Sequence, residues 1–144
     1  MKSKAIWLSL MLSMVIAFFV PQTVMAAEES EILAQINTIR EEEGLDDFIL
    51  DPELCDLADI RAKEQAENFS HIRPDGSEWY TISPLVYREN IAHIENKEQE
   101  RYLLDAWMLS ESHKENVLSE DSRIIGIGIY QKTENECYVV TLTD

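Results

Sequence analysis

Basic residues are scarce in this chain: 12 Lys and Arg stand against 28 Asp and Glu, a formal net charge of −16 over 144 residues. Such a surface repels phosphate backbones and anionic headgroups, so neither nucleic acid nor an anionic membrane is a partner through charge. HExxH, CxxC and GxSxG patterns are absent, which removes the standard metalloprotease, thiol-redox and hydrolase-elbow readings. There are no internal repeats and no low-complexity segment. The one apolar run, Ala5 to Val20, is short for a membrane span and is followed by no stop-transfer charges. Only three histidines and two cysteines are present.

That apolar run has Lys2 and Lys4 before it and Val24-Met25-Ala26 after it, the layout of a secretory signal cleaved before Ala27; the alternative is an uncleaved N-terminal anchor. Cleavage leaves residues 27–144 as one domain, with ten basic against 28 acidic residues and a charge of −18, and no membrane span. Outside the cell, Cys55 and Cys137 can pair, although sequence does not show that they approach; free thiols are the other outcome.

Apolar periodicity then orders the chain. Ser30 can cap a helix over residues 31–43, with Ile32, Leu33, Ile36 and Ile39 on one stripe and Gly44 as its C′ residue. Leu45, Phe48 and Leu50 plug the core. Asp51-Pro52 opens a second helix to about Phe69, Asp as cap and Pro at the first helical position. Leu54, Leu57, Ala58, Arg61, Ala62, Gln65 and Phe69 share its face, where Arg61 either snorkels at the core edge or is hydrogen-bonded. The aromatic stretch from Trp79 to Tyr87 fits a short helix or an extended segment equally, and Arg88 to Ala92 reads as extended. A third helix over residues 97–109 has Tyr102, Leu103, Ala106 and Trp107 as its apolar face. Ser112 and Glu115 form a capping box that starts a short helix at His113. Two strands, 124–130 and 137–142, close the chain. Ile125, Ile127 and Ile129 pack one face of the first, and Gly126 and Gly128 admit something bulky on the other. Helices early and strands late give an α+β domain.

The chemistry-bearing residues are dispersed. His71 stands between a helix end and Pro74-Asp75-Gly76, a turn in which Pro presets φ, Asp bonds its own backbone and Gly tolerates positive φ. Glu89, before an apolar pair, reads as a buried carboxylate that needs a partner, and a histidine would serve. His113 at a helix start is disfavoured as a cation by the helix dipole and is left fit for a ligand or metal. Each also has a plain structural reading: a backbone-bonding histidine, a carboxylate on backbone amides, a solvent-facing helix start. His93 has no such context and reads as a surface residue, and Ser110 and Ser112 read as caps.

In order along the chain, Asp51-Pro52-Glu53-Leu54, Arg61-Ala62, Phe69-Ser70-His71 with Pro74-Asp75-Gly76, Glu89-Asn90-Ile91-Ala92, Trp107 with Ser112-His113 and Asn116-Val117-Leu118, and Ile125-Gly126-Ile127-Gly128 resemble the CAP superfamily (SCP or PR-1-like domain), in its short bacterial exported branch. The resemblance implies a three-layer α-β-α sandwich around a small antiparallel sheet, with an open cleft that in eukaryotic members holds two histidines and two acids. His71 and Glu89 carry over. The second acid does not: its position, three residues after the tryptophan, is Ser110. His113 matches the histidine of the bacterial branch.

These readings make the chain an exported binding module, secreted or at the cell surface. Its cleft, lined by His71, Glu89, His113 and Ser110, would take a small-molecule, lipid or peptide ligand. Two rivals are a metal-assisted hydrolase in the same cleft and a structural envelope protein with a vestigial cleft. If a metal binds, His71, His113 and Glu89 are the expected ligands, with Glu89 either direct or orienting, and zinc suits the set.

Overall fold

The computed structural model describes residues 22–144. Residues 1–21, which hold most of the expected signal segment, lie outside them. Helix α1 (Gln22–Glu42) therefore begins well before Ser30. The Met, Ala and Glu residues ahead of Ser30 are good helix formers and carry the helix through the serine instead of starting at it. Its end is as read: Gly44 takes φ +76, while Gly44 N–H donates to the Glu41 carbonyl at 3.0 Å and Leu45 N–H to that of Arg40 at 2.9 Å, a Schellman motif.

Strand β1 (Ile49–Leu50) follows, then α2 (Pro52–Glu67), whose N-cap Asp51 accepts the Leu54 N–H at 2.9 Å. A 3₁₀ turn at Trp79–Ile82 leads to β2 (Arg88–Ile94). The expected helix over residues 97–109 is two helices, α3 (Lys97–Glu100) and α4 (Leu103–Leu109). The break at Arg101 and Tyr102 resets the phase: Leu103, Leu104 and Trp107 are buried, and Tyr102 and Ala106 are exposed. Helix α5 (Glu111–Val117) starts at Ser110, without a side-chain cap, so the expected Ser112 capping box does not form and His113 is the third helical residue. Strands β3 (Ile124–Gln131) and β4 (Cys137–Thr143) complete the sheet.

The strand order is β1-β3-β4-β2. β2, β3 and β4 are antiparallel and β1 adds a short parallel edge to β3, so the sheet is mixed and not wholly antiparallel. Strand alternation sends Ile125, Ile127, Ile129, Cys137, Val139 and Ile94 into one core with Ile36, Phe48, Leu103, Leu104, Trp107 and Val117 from the α1, α4 and α5 side. Ile91, Val140 and Leu142 face the opposite core, with Leu54, Ala58 and Ala62 of α2. The result is a three-layer α-β-α sandwich. A Cβ on Gly126 would run into the backbone of Leu54, and one on Gly128 into that of Ala58, so the bulky neighbour expected at these glycines is the α2 main chain.

That sandwich puts Cys55 on the α2 side and Cys137 in the core across the sheet, and of the two outcomes left open both thiols are free. Among the described residues no helix is long and apolar enough to cross a membrane.

Candidate functional site

Arg61 decides the geometry of the α2 face. It is fully buried, not snorkelling, and its guanidinium grips Glu89 with two bonds, Nε to Oε2 at 2.6 Å and Nη2 to Oε1 at 3.0 Å. Its Nη1 reaches Glu64 at 2.5 Å, and Glu64 is held from outside by Arg73 at 2.7 Å. Burial favours the neutral guanidinium, but Glu89 and Glu64 outweigh it and the Arg61 pKa is raised. Burial likewise pushes Glu64 up, and the hydrogen bonds from Arg73 and Arg61 reverse this, leaving its pKa lowered.

His71 is delivered to this network by clamps on both sides. Before it, Gln65 Nε2 donates to the Ser70 carbonyl at 2.9 Å and Ser70 N–H donates back to Gln65 Oε1 at 2.8 Å. After it, Arg73 N–H bonds the Ser77 carbonyl across a turn in which Gly76 has φ +86 and Asp75 accepts the Ser77 N–H at 2.9 Å. His71 Nδ1 lies 2.8 Å from Glu89 Oε1, and the imidazole remains 48% exposed over a carboxylate with no exposure at all. The hydrogen bond to Glu89 sets Nδ1–H as the donor and leaves Nε2 as the outward nitrogen.

His113 enters from the other layer. Asn90 Nδ2 donates to the His113 carbonyl at 3.1 Å, while Asn116 Nδ2 donates to the Glu89 carbonyl at 3.1 Å and to Asn90 Oδ1 at 2.7 Å. These bonds tie α5 to the strand that carries Glu89. The His113 ring packs by Trp107, centroids 6.4 Å apart, and Trp107 Nε1 donates to the Ile91 carbonyl at 3.3 Å. Burial lowers the His113 pKa, and the nearby His71 lowers it further.

Ser110 sits at the α4–α5 junction with its hydroxyl 3.4 Å from that of Ser112, and among the described residues it makes no hydrogen bond to His71, Glu89 or His113. His93 is not a plain surface residue: it stacks on Tyr138 at 4.5 Å and bonds Glu136 at 3.0 Å. Both Glu89 oxygens are engaged, and among the described residues no three His, Cys, Asp or Glu side chains come together to hold a metal. If a metal binds, the two imidazoles are the side chains left to hold it, fewer than the three protein ligands of a catalytic zinc site.

Sequence reasoning missed the Glu64–Arg73 extension and the bridging role of Asn116. Glu64, three residues after a buried arginine on one helix face, was the available signal for the first. Nothing in the spacing pointed to the second.

The sandwich defines the fold, and the comparisons give the family. Residues 33–142 match the model of the cysteine-rich secretory protein family (CAP), and the chain belongs to that family. It is 28% identical over 111 residues to the protein YkwD of Bacillus subtilis, a match covering 72% of this chain and 42% of that protein. The chain thus spans well under half of that relative. An outer surface protein of Borrelia burgdorferi superposes with TM-score 0.68 at 20% identity, covering 81% of this chain and 91% of that one. An extracellular SCP-domain protein of Bacillus anthracis superposes with TM-score 0.63 at 21% identity, covering 83% and 41%.

Proposed function

We propose that the chain is an exported binding module that holds a ligand at the His71–His113 cleft. The observation that carries this is a fully buried, arginine-bound carboxylate spent on orienting one half-exposed imidazole. Burying an ion pair confers little net stability. Its use here is to hold His71 in one tautomer with Nε2 outward, beside a His113 biased to the neutral form. Two such nitrogens accept hydrogen bonds from hydroxyl, amine or amide groups, so the ligand class is a small molecule, lipid or peptide presenting donors. Export is supported by the charged, apolar and small-residue order of residues 1–26, by the acidic composition, and by the extracellular or outer-surface description of the two structural relatives. Residues 27–144 would then be the working domain, and N-terminal sequencing of the exported protein should begin at Ala27; a start at Met1 contradicts cleavage.

The same His71–Glu89 pair has the form of a general base with its orienting carboxylate, which favours hydrolysis as the second reading. Ligand-observed NMR against a mixed peptide, sterol and fatty-acid library separates the two. Binding that His71→Ala and His113→Ala abolish, without turnover of any peptide, supports the module. Peptide cleavage that His71→Ala abolishes supports the hydrolase.

A further inference from the structure

Strand β2 is an outer edge of the sheet, since the order β1-β3-β4-β2 leaves it one strand neighbour. Side chains cover part of that edge: Asn116 Nδ2 bonds the Glu89 carbonyl, and Trp107 Nε1 bonds the Ile91 carbonyl. Main-chain groups alternate in direction along a strand, so His93 presents its amide and carbonyl on the same outer edge. There an open groove of about 520 Å³ runs between β2 and the α3–α4 segment. Ala92, His93 and Ile94 all line it, and three consecutive strand residues meet one groove only along an edge. Its volume falls within the roughly 300–1,000 Å³ typical of ligand pockets.

The wall facing β2 is built to donate. Asn96 Oδ1 accepts the N–H groups of Glu98 and Gln99 at 3.1 and 3.0 Å, and Gln99 Oε1 accepts that of Glu95 at 2.8 Å. With both oxygens held by backbone, each amide is fixed in orientation and offers its NH2 group outward. Both residues line the groove, and Tyr102 stands beside them, 57% exposed at the break between the two helices. Leu103 and Ala106 add a small apolar surface. Glu98 is the one carboxylate on the lining, and no Lys or Arg lies there to offset it.

We propose that this groove is a second binding site, apart from the histidine cleft, for a neutral glycan of N-acetylated hexosamines. The C–H face of a pyranose ring stacks on the electron-rich face of Tyr102. The acetamido carbonyl accepts from the Asn96 and Gln99 amides, and its methyl group lies on Leu103 and Ala106. Ring hydroxyls pair with the outer-edge amide and carbonyl of His93. A uronic or sialic sugar would bring a second carboxylate against Glu98 with no cation on the lining to meet it.

Ligand-observed NMR titration tests this, with triacetylchitotriose as the probe and cellotriose as the neutral comparator that lacks acetamido groups. Triacetylchitotriose should bind at least about fivefold more tightly than cellotriose. Tyr102→Ala removes an exposed ring, should fold, and should weaken binding of the probe about tenfold. The double variant Asn96→Asp, Gln99→Glu keeps both backbone-accepting oxygens and replaces only the NH2 groups, so the segment should keep its structure, as circular dichroism would verify. Its affinity for triacetylchitotriose should fall about tenfold, and its preference over cellotriose should vanish. Tyr80→Ala, an exposed tyrosine in the 3₁₀ turn, should bind as the wild type does. Failure of triacetylchitotriose to bind, equal binding of the two sugars, an unchanged Tyr102→Ala or double variant, or an equal loss in Tyr80→Ala would each overturn the proposal.

Discussion

Toward α2 the sheet presents Gly126, Gly128 and the fully buried Arg61–Glu89 pair; toward α1, α4 and α5 it presents Ile125, Ile127, Ile129 and Val139. On the first face two glycines let the β3 backbone meet that of α2, and a fully bonded charge pair sits beside the apolar core of Leu54, Ala58, Ala62, Ile91, Val140 and Leu142. On the second face large apolar side chains meet across a wider gap, and the gap is not wholly filled, since a cavity of about 420 Å³ opens there beside Cys137. Close main-chain contact seats α2 on β3, and the Arg61–Glu89 bonds tie it to β2. Side-chain packing tolerates a cavity. One sheet therefore carries a buried charge network on one face and a cavity on the other.

The sharpest way to break the contrast is at the glycines. Gly128→Val places its branched side chain in the Ala58 backbone and should remove more than about 4 kcal/mol or abolish cooperative unfolding altogether. An unchanged melting midpoint would show that α2 can move away. Arg61→Ala leaves Glu89 buried without its partner and should destabilise by about 3–5 kcal/mol in chemical denaturation. Replacing the pair together, Arg61→Met with Glu89→Leu, should recover most of that loss while disordering His71. On the opposite face, Trp107→Ala should also lose about 3–5 kcal/mol, from a side chain only 2% exposed.

Smaller effects sharpen the picture. Because the folded protein holds the His113 pKa below its ordinary 6.5, the unfolded chain binds the proton more readily as pH falls below 6.5. Stability from this group is therefore full above that pH and declines below it, and His113→Asn should flatten that part of the stability–pH curve. Arg123→Ala, at a surface pair 2.7 Å from Asp46 with both side chains mostly exposed, should change stability by less than about 1 kcal/mol.

Much of the fold was legible because local signals and tertiary packing agree. Asp51-Pro52 opens α2, Gly44 ends α1, and the Ile/Gly alternation of β3 announces both cores. Local reasoning failed where a competing local choice existed. Ser30 is a good cap within a helix-forming stretch that does not need one, and Ser110 starts α5 two residues before the stronger-looking Ser112. The break at Arg101 was invisible because Lys97 to Leu109 is good helix sequence throughout; burying Leu103, Leu104 and Trp107 together sets a different phase. An arginine on an apolar face read as either snorkelling or hydrogen-bonded, but its partner Glu89 is 28 residues away, a pairing no periodicity encodes. The pocket beside Cys137 depends on how helices from distant parts of the chain stand off the sheet, and no spacing reports that.

The Arg61–Glu89 pair should fix which His71 nitrogen points outward. Long-range proton–nitrogen NMR of the His71 ring at mildly alkaline pH reads this directly. The account predicts a protonated Nδ1 and a bare Nε2 in the wild type, lost to a tautomer mixture when Arg61→Met and Glu89→Leu are combined. A wild-type ring that carries its proton on Nε2 would contradict it.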